Sequence, residues 1–296
     1  MKANVFWDWV IFISLSIIWG SSFVLMKEGL KGLSFTQVAS LRIVSAGLVL
    51  LPITIRYILT IPRNKLPTVI LSGLLGSLIP AYLFCAAETG ISSSAAGVLN
   101  SLTPVFVILF GIVFFKHKIP AIKILGMAIA FAGSILLYFS RADNDDGSKF
   151  IMVLLVIIAT MCYGANVNLV NKYLLKIPSL QIVAIALTIC SIPALAVLYF
   201  SGFFKLDLLS PIVGTSIAFS SVLGIVGTAL ASFLFYMLLK RAGTVFASMV
   251  TYAMPVVALL LGMWYGETIN LLQVLSMLVI LSGVFITHKK TTNNPI

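Results

Sequence analysis

The chain has 296 residues, of which 60% are hydrophobic and 9% charged. Soluble domains are about half apolar and roughly a quarter charged, so a water-soluble enzyme, a secreted disulfide scaffold and a disordered chain are excluded. The net charge of +11 suits either a nucleic-acid binder or a basic membrane protein, and only the placement of the charges separates the two.

Windows of about 19 apolar residues predict ten membrane spans in chain order. They are Trp9–Met26, Phe35–Ile55, Pro67–Ala87, Ser93–Phe114, Ala121–Phe139, Phe150–Leu174, Ser179–Phe200, Ile212–Leu239, Thr244–Tyr265 and Leu271–Ile286. The first run is too long for the apolar part of a signal peptide, and it leads into further spans. Connections are short, the longest polar one being Arg141–Lys149 in the middle of the chain. The expected fold is therefore an all-α polytopic membrane protein. Cys85, Cys162 and Cys190 lie in apolar stretches without paired spacing, and His117 and His288 are isolated. Neither a metal site nor a cofactor is expected.

Placing the loops gives the charge a meaning. With the N-terminus inside, 13 Lys and Arg fall on the cytoplasmic side and 5 on the other, and Arg42 lies within a span. Of the acids, only Asp8 is inside. This bias predicts that both termini are cytoplasmic. It leaves no continuous basic surface for nucleic acid.

The two halves repeat. Gly20 and Gln37 recur as Gly164 and Gln181, 144 residues on. Gly73, Gly76, Pro104 and Gly111 recur as Gly224, Gly227, Pro255 and Gly262, 151 residues on, and Gly133 recurs as Gly283. The repeats are residues 1–140 and 150–288, joined by a linker at 141–149 and followed by a cytoplasmic tail at 289–296. Five spans per half is an odd number, so the halves enter the membrane with opposite orientation. Two such half-bundles can open a central site alternately to either side, which is the architecture of a secondary transporter.

Several stretches carry a family likeness. They are Trp19-Gly20-Ser21-Ser22-Phe23 followed by Lys27, then Leu41-Arg42, then the small-residue run Ser92–Gly97 leading to Pro104, and finally Gly266-Glu267 before Gln273 and Gly283. In order and spacing they resemble the EamA-like branch of the drug/metabolite transporter superfamily, over roughly Trp9 to Thr287. The resemblance implies ten spans in two inverted repeats and a cargo of amino acids or other small metabolites. It does not choose among them. The family often has an acid after span four, where this chain has Lys116; Glu267 keeps it in the second half.

Matching helix interruptions point to a transporter's substrate site. Pro104 and Pro255 lie well inside their spans, where proline removes a donor and clashes with the carbonyl four residues earlier. Those carbonyls belong to Asn100 and Thr251, with Thr103 and Tyr252 close by. Span 6 adds Tyr163, Asn166, Asn168 and Asn171, of which Tyr163 and Asn166 share a helical face. The matching span 1 offers Trp19, Ser22 and Phe23, span 8 offers Ser232, Phe235 and Tyr236, and span 3 offers Tyr82. Aromatic rings with a few amides suit an amphipathic organic substrate, and interhelical hydrogen bonding is the alternative use of the same amides. Gly76 and Gly227, with Gly73 and Gly224, are expected at close helix approaches that let helices bend and slide. Arg42 and Glu88 are expected to form a charge pair within the membrane. No acid lies at mid-membrane, which points to facilitated diffusion or loosely coupled exchange.

The expected function is a secondary transporter or facilitator for a small organic metabolite, most simply an amino acid moving outward through the cell membrane. A carrier of lipid-linked or anionic metabolites is the alternative. An intramembrane enzyme is disfavoured, because no span holds a His or an acid pair. The expected partners are the solute and the lipid bilayer. No protein partner is indicated, and a monomer suffices.

Overall fold

A computed structural model describes residues 5–91, 93–116, 118–139, 150–208, 210–264 and 271–288. The linker 141–149, Gly266-Glu267 and the tail 289–296 lie outside the described residues. Ten helical crossings follow one another. Span 1 is Val5–Leu30 and span 2 is Phe35–Tyr57, which opens with a capping box: Ser34 Oγ accepts from Gln37 N, and Gln37 Oε1 accepts from Ser34 N. Spans 5, 6, 7 and 10 are single helices, Ala121–Phe139, Phe150–Tyr173, Ser179–Phe200 and Leu271–His288. Among the described residues, seven stretches are long and apolar enough to cross a membrane, and three shorter apolar helices complete the set. This is a multi-pass membrane protein. Large apolar side chains such as Leu48, Ile55, Phe139, Ile192 and Phe285 are exposed on the outside of the bundle, as expected where lipid rather than water is the solvent.

The remaining four spans are broken, in matching places. Span 3 joins Leu66–Gly73 to Ile79–Ala87 through a π-helical turn, Leu74–Leu78. Span 8 joins Pro211–Gly224 to Ala231–Ala242 through a second π turn, Ile225–Leu230. Span 4 is split into Ser93–Asn100 and Thr103–Val113, and span 9 into Thr244–Ser248 and Val250–Trp264. Pro104 starts the second half of span 4, while Pro255 lies within the second helix of span 9. The π turns were not foreseen from the sequence. They hold Gly76 and Gly227, so these glycines do more than thin a packing face.

Glycine contacts establish the repeat physically. A Cβ on Gly20 would meet Val257 Cβ at 2.8 Å, and one on Gly164 would meet Phe106 Cβ at 2.7 Å. Gly164 stands 144 residues after Gly20, and Val257 stands 151 after Phe106. The contact of span 1 with span 9 is thus remade by span 6 with span 4. Gly224 approaches the Arg42 carbonyl and Gly73 approaches that of Ala186, the same contact under the same offsets. The most extensive packings, span 2 on span 7 and span 5 on span 10, join each helix to its own counterpart. An approximate two-fold axis therefore runs between the halves, and the fold is two inverted five-helix repeats.

These approaches leave no room for side chains. A Cβ at Gly224 would sit 1.9 Å from Ser45 Oγ and 2.3 Å from the Arg42 carbonyl oxygen. Because one neighbour is backbone, the helices must separate, which costs about 1–3 kcal/mol or more. At Gly214 the nearest atom would be 3.9 Å away. Gly224→Ala is expected to lower the thermal unfolding midpoint in detergent by several degrees, and Gly214→Ala to leave it unchanged.

Candidate functional site

A cavity of about 90 Å³ lies on the two-fold axis at the level of the four interruptions. One water needs only about 10–15 Å³. Most of its wall comes in pairs related by the repeat: Trp19 with Tyr163, Ser22 with Asn166, Phe23 with Val167, Gly76 with Gly227, Ser77 with Thr228, Phe84 with Phe235, Asn100 with Thr251, and Thr103 with Met254. Met26, Arg42, Ser232, Tyr236 and Ser248 line it without a lining counterpart.

The polar groups are held by the interruptions. Trp19 Nε1 donates to the carbonyl of Gly227 in the span 8 π turn, at 3.0 Å. Extra residues in a π turn displace the carbonyl ladder, and such turns recur at functional sites. A Cβ on Gly227 would come 3.0 Å from Ser22 Oγ, and one on Gly76 would come 2.4 Å from Asn166 Nδ2. Each π turn is thus open to the span 1 or span 6 side chain of the opposite repeat. Asn166 Nδ2 donates to Tyr236 Oη at 3.0 Å. Asn100 Oδ1 accepts from Thr103 Oγ1 at 3.2 Å, and Asn100 Nδ2 faces Met254 Sδ at 3.5 Å. Arg42 Nε donates to Thr228 Oγ1 at 2.6 Å, which fixes the guanidinium against the span 8 π turn. Aromatic rings close the apolar side: Phe84 lies 6.5 Å from Phe23 and 6.1 Å from Tyr163, and Trp19 lies 5.3 Å from Phe235.

The structure gathers most of the residues singled out from the sequence and separates others. Trp19, Ser22, Phe23, Asn100, Tyr163, Asn166, Ser232, Tyr236 and Thr251 line the cavity, as do Gly76, Gly227 and Arg42. Tyr82 does not; its hydroxyl pairs with Ser40 Oγ at 2.6 Å, on span 2. Tyr252 is fully buried off the wall, one step of helical rotation from Thr251. Pro104 and Pro255 are off the wall too, and act by ending or bending the helices that carry lining residues. The Arg42–Glu88 pair is not formed. Arg42 is committed through Nε to Thr228, and both carboxylate oxygens of Glu88 are buried without a hydrogen-bond partner. The asparagine cluster of span 6 divides by helical phase. Asn166 faces the cavity, whereas Asn168 Nδ2 donates to the carbonyls of Val107 and Gly164, both at 2.9 Å, and ties span 6 to span 4. Ser77, Thr228, Phe84, Met26, Val167, Met254 and Ser248 were not anticipated. The repeat offset was the available signal for Ser77 and Thr228, which directly follow Gly76 and Gly227.

At the end of the bundle that holds Val5 and His288, Arg241 Nε donates to the buried Asp8 carboxylate at 2.7 Å, joining span 8 to span 1. Beside them Lys240 Nζ donates to the Ile177 carbonyl, and Phe12 stacks on Phe246 at 5.1 Å while Trp9 meets both edge to face at 5.4–5.5 Å. Toward the opposite end, Ser216 Oγ joins span 8 to span 1 through Gly32 N and the Glu28 carbonyl, each at 3.0 Å.

A cavity at the centre of two inverted repeats, walled by broken helices, is the site arrangement of a carrier. The family model described as the EamA-like transporter family matches twice, over residues 6–139 and 150–288. The chain belongs to the EamA-like transporter family. It is 28% identical over 288 residues to an uncharacterized transporter of Archaeoglobus fulgidus, covering 95% of this chain and 99% of that one. Over 288 residues it is 26% identical to an uncharacterized inner membrane transporter, YedA, of Escherichia coli, covering 92% and 87%. It is 25% identical over 281 residues to a probable amino-acid metabolite efflux pump of Salmonella typhimurium, covering 91% of each. A solved crystal structure shares the fold with a TM-score of 0.70 at 17% identity, covering 94% of both chains. The wall is equipped to bind, release and exclude a solute.

The two asparagines of span 6 separate binding from packing. Asn168→Leu is expected to cost about 0.6–1.7 kcal/mol of stability and to leave the KM for transport unchanged. Asn166→Leu is expected to raise the KM with a smaller effect on stability. Thermal unfolding and initial rates in proteoliposomes check both.

Proposed function

We propose that this EamA-like transporter is a secondary carrier, and not an enzyme, that exports a small amphipathic organic metabolite such as an amino acid. It works by alternating access to the central cavity. The observation that carries this reading is the composition of the wall: amide and hydroxyl groups from both repeats meet aromatic rings on the two-fold axis. Equivalent helices of the two halves can exchange conformations about that axis, presenting the same groups first to one side and then to the other. The name of the Salmonella relative, a probable amino-acid metabolite efflux pump, supports the solute class and the outward direction. The excess of 13 Lys and Arg on one side over 5 on the other supports a cell-membrane protein with both termini in the cytoplasm.

Purified protein in liposomes loaded with labelled amino acids and small metabolites tests this. One class of solute should leave faster than from protein-free vesicles and exchange in counterflow. Asn100→Leu removes a buried amide that lines the cavity. It should slow that flux about tenfold or more, the effect of losing about 1.4 kcal/mol of binding, at an unchanged thermal unfolding midpoint. Undiminished flux by a folded Asn100→Leu protein would remove the cavity from the transport path.

A further inference from the structure

Most of the cavity wall occurs in equivalent pairs, and Arg42 is among the residues that break the pairing. Its counterpart is Ala186: a Cβ on Gly224 would meet the Arg42 carbonyl oxygen at 2.3 Å, and one on Gly73 would meet that of Ala186 at 3.0 Å. The backbone packing is the same in both halves, so it does not call for a guanidinium. Of the described residues that line the cavity, Arg42 alone carries a formal charge. Its Nε is held by Thr228 Oγ1, and its two terminal nitrogens make no hydrogen bond to described residues. A guanidinium oriented through Nε still presents the donor edge that suits a carboxylate.

Glu88 is the complementary oddity. It is 6% exposed, both its oxygens lack a partner, and it caps the C-terminal end of Ile79–Ala87, where the helix dipole disfavours negative charge. Burial is the dominant influence on its carboxyl and opposes ionisation, and the fields of the exposed Lys27 of span 1 and of Arg42 of span 2 act against it. Of the other titratable groups on packed elements, Tyr82 and Cys85 lie on its own span and Cys162 and Tyr163 on span 6, while Lys172 and Tyr173 of span 6 and Arg56 and Tyr57 of span 2 lie toward the other end of those helices. A buried carboxylate without hydrogen bonds depends on such fields to remain ionised.

We propose that Arg42 anchors a carboxylate group of the substrate and that Glu88 takes up one proton from solution as this anion binds. The proposal rests on the carrier reading above and names the substrate class and its coupling. The anion screens Arg42 from Glu88, so the carboxylate of Glu88 loses its stabilising field and is protonated. By linkage, the proton strengthens anion binding to the same degree. Where Glu88 is ionised in the empty site, the balance is one anion and one proton in, both released on the other side, with no bond made or broken in the substrate. Empty and loaded sites then carry the same net charge, which spares the conformational change the cost of moving uncompensated charge through a medium of low dielectric constant. Anion and proton travel together, so an accumulated metabolic acid leaves the cell with a proton.

The test uses the full-length protein in detergent, with phenylacetate as probe and phenylacetamide as its uncharged isostere. Phenylacetate should raise the unfolding midpoint and phenylacetamide should not. Its affinity should increase as the pH falls toward about 8 and level off below it, by at most about tenfold per pH unit for one linked proton, while the probe stays ionised throughout. Arg42→Gln should abolish the preference for the acid. Glu88→Gln, which mimics the protonated state, should keep that preference and lose the pH dependence. The acid and amide comparison on the unaltered protein stands even if Arg42→Gln does not fold. Equal effects of acid and amide, no effect of the acid at any pH, or an unchanged pH dependence in Glu88→Gln would overturn the proposal. Flux of neutral solutes without any response to carboxylates would remove this proposal and leave the carrier reading standing, whereas absence of all flux would remove both.

Discussion

Inside hydrocarbon a backbone N–H or C=O has no water to turn to, so a helix can be broken there only where protein or a wet cavity receives the freed groups. In this chain the four broken spans, 3, 4, 8 and 9, all have their interruptions around one space. The other six spans run unbroken and supply the frame. The position of the cavity thus follows from the positions of the breaks, and those follow from the duplicated glycines and prolines. Trp19 reaching the Gly227 carbonyl is a direct case of a π-turn group satisfied by a side chain from the other repeat.

Duplication gives the site its shape and also its limits. A wall of equivalent pairs presents similar groups to each end of the axis, which suits a carrier that must bind its solute from both sides. The residues that break the pairing are where specificity can be written without disturbing the fold. Tyr236 stands where the first repeat has Cys85, and Arg42 where the second has Ala186. The close glycine approaches behave in the opposite way. Those at Gly20 and Gly164, Gly73 and Gly224, and Gly133 and Gly283 recur in both halves because each half must pack the same helices at the same distance.

Much of this was legible in the sequence. Hydropathy gave ten spans because every crossing needs its own apolar length, and the spacing of Gly and Pro exposed the repeat because close packing tolerates few substitutes. Aromatic and amide residues at mid-span found most of the cavity wall, since polar groups in hydrocarbon need an interior to face. What failed depended on rotation and on backbone register. Tyr252 lies one position from a lining residue and points elsewhere, a difference of helical phase that the local break in span 9 resets. The π turns carry no strong signal beyond glycine, and they shift every side chain that follows. Arg42 and Glu88 were expected to pair within the membrane. Their pairing failed because Thr228, on a span far along the chain, takes the Arg42 Nε donor.

The claim on which all of this rests is that one cavity is reached in turn from both sides of the membrane. Site-directed labelling measures it most directly. In a protein whose three cysteines are replaced, Ser232→Cys puts a single thiol on the cavity wall. The account predicts that a membrane-impermeant maleimide modifies this thiol when added to either side of sealed vesicles, and that the transported solute slows both reactions. Modification from one side only, or equal rates with and without the solute, would contradict it.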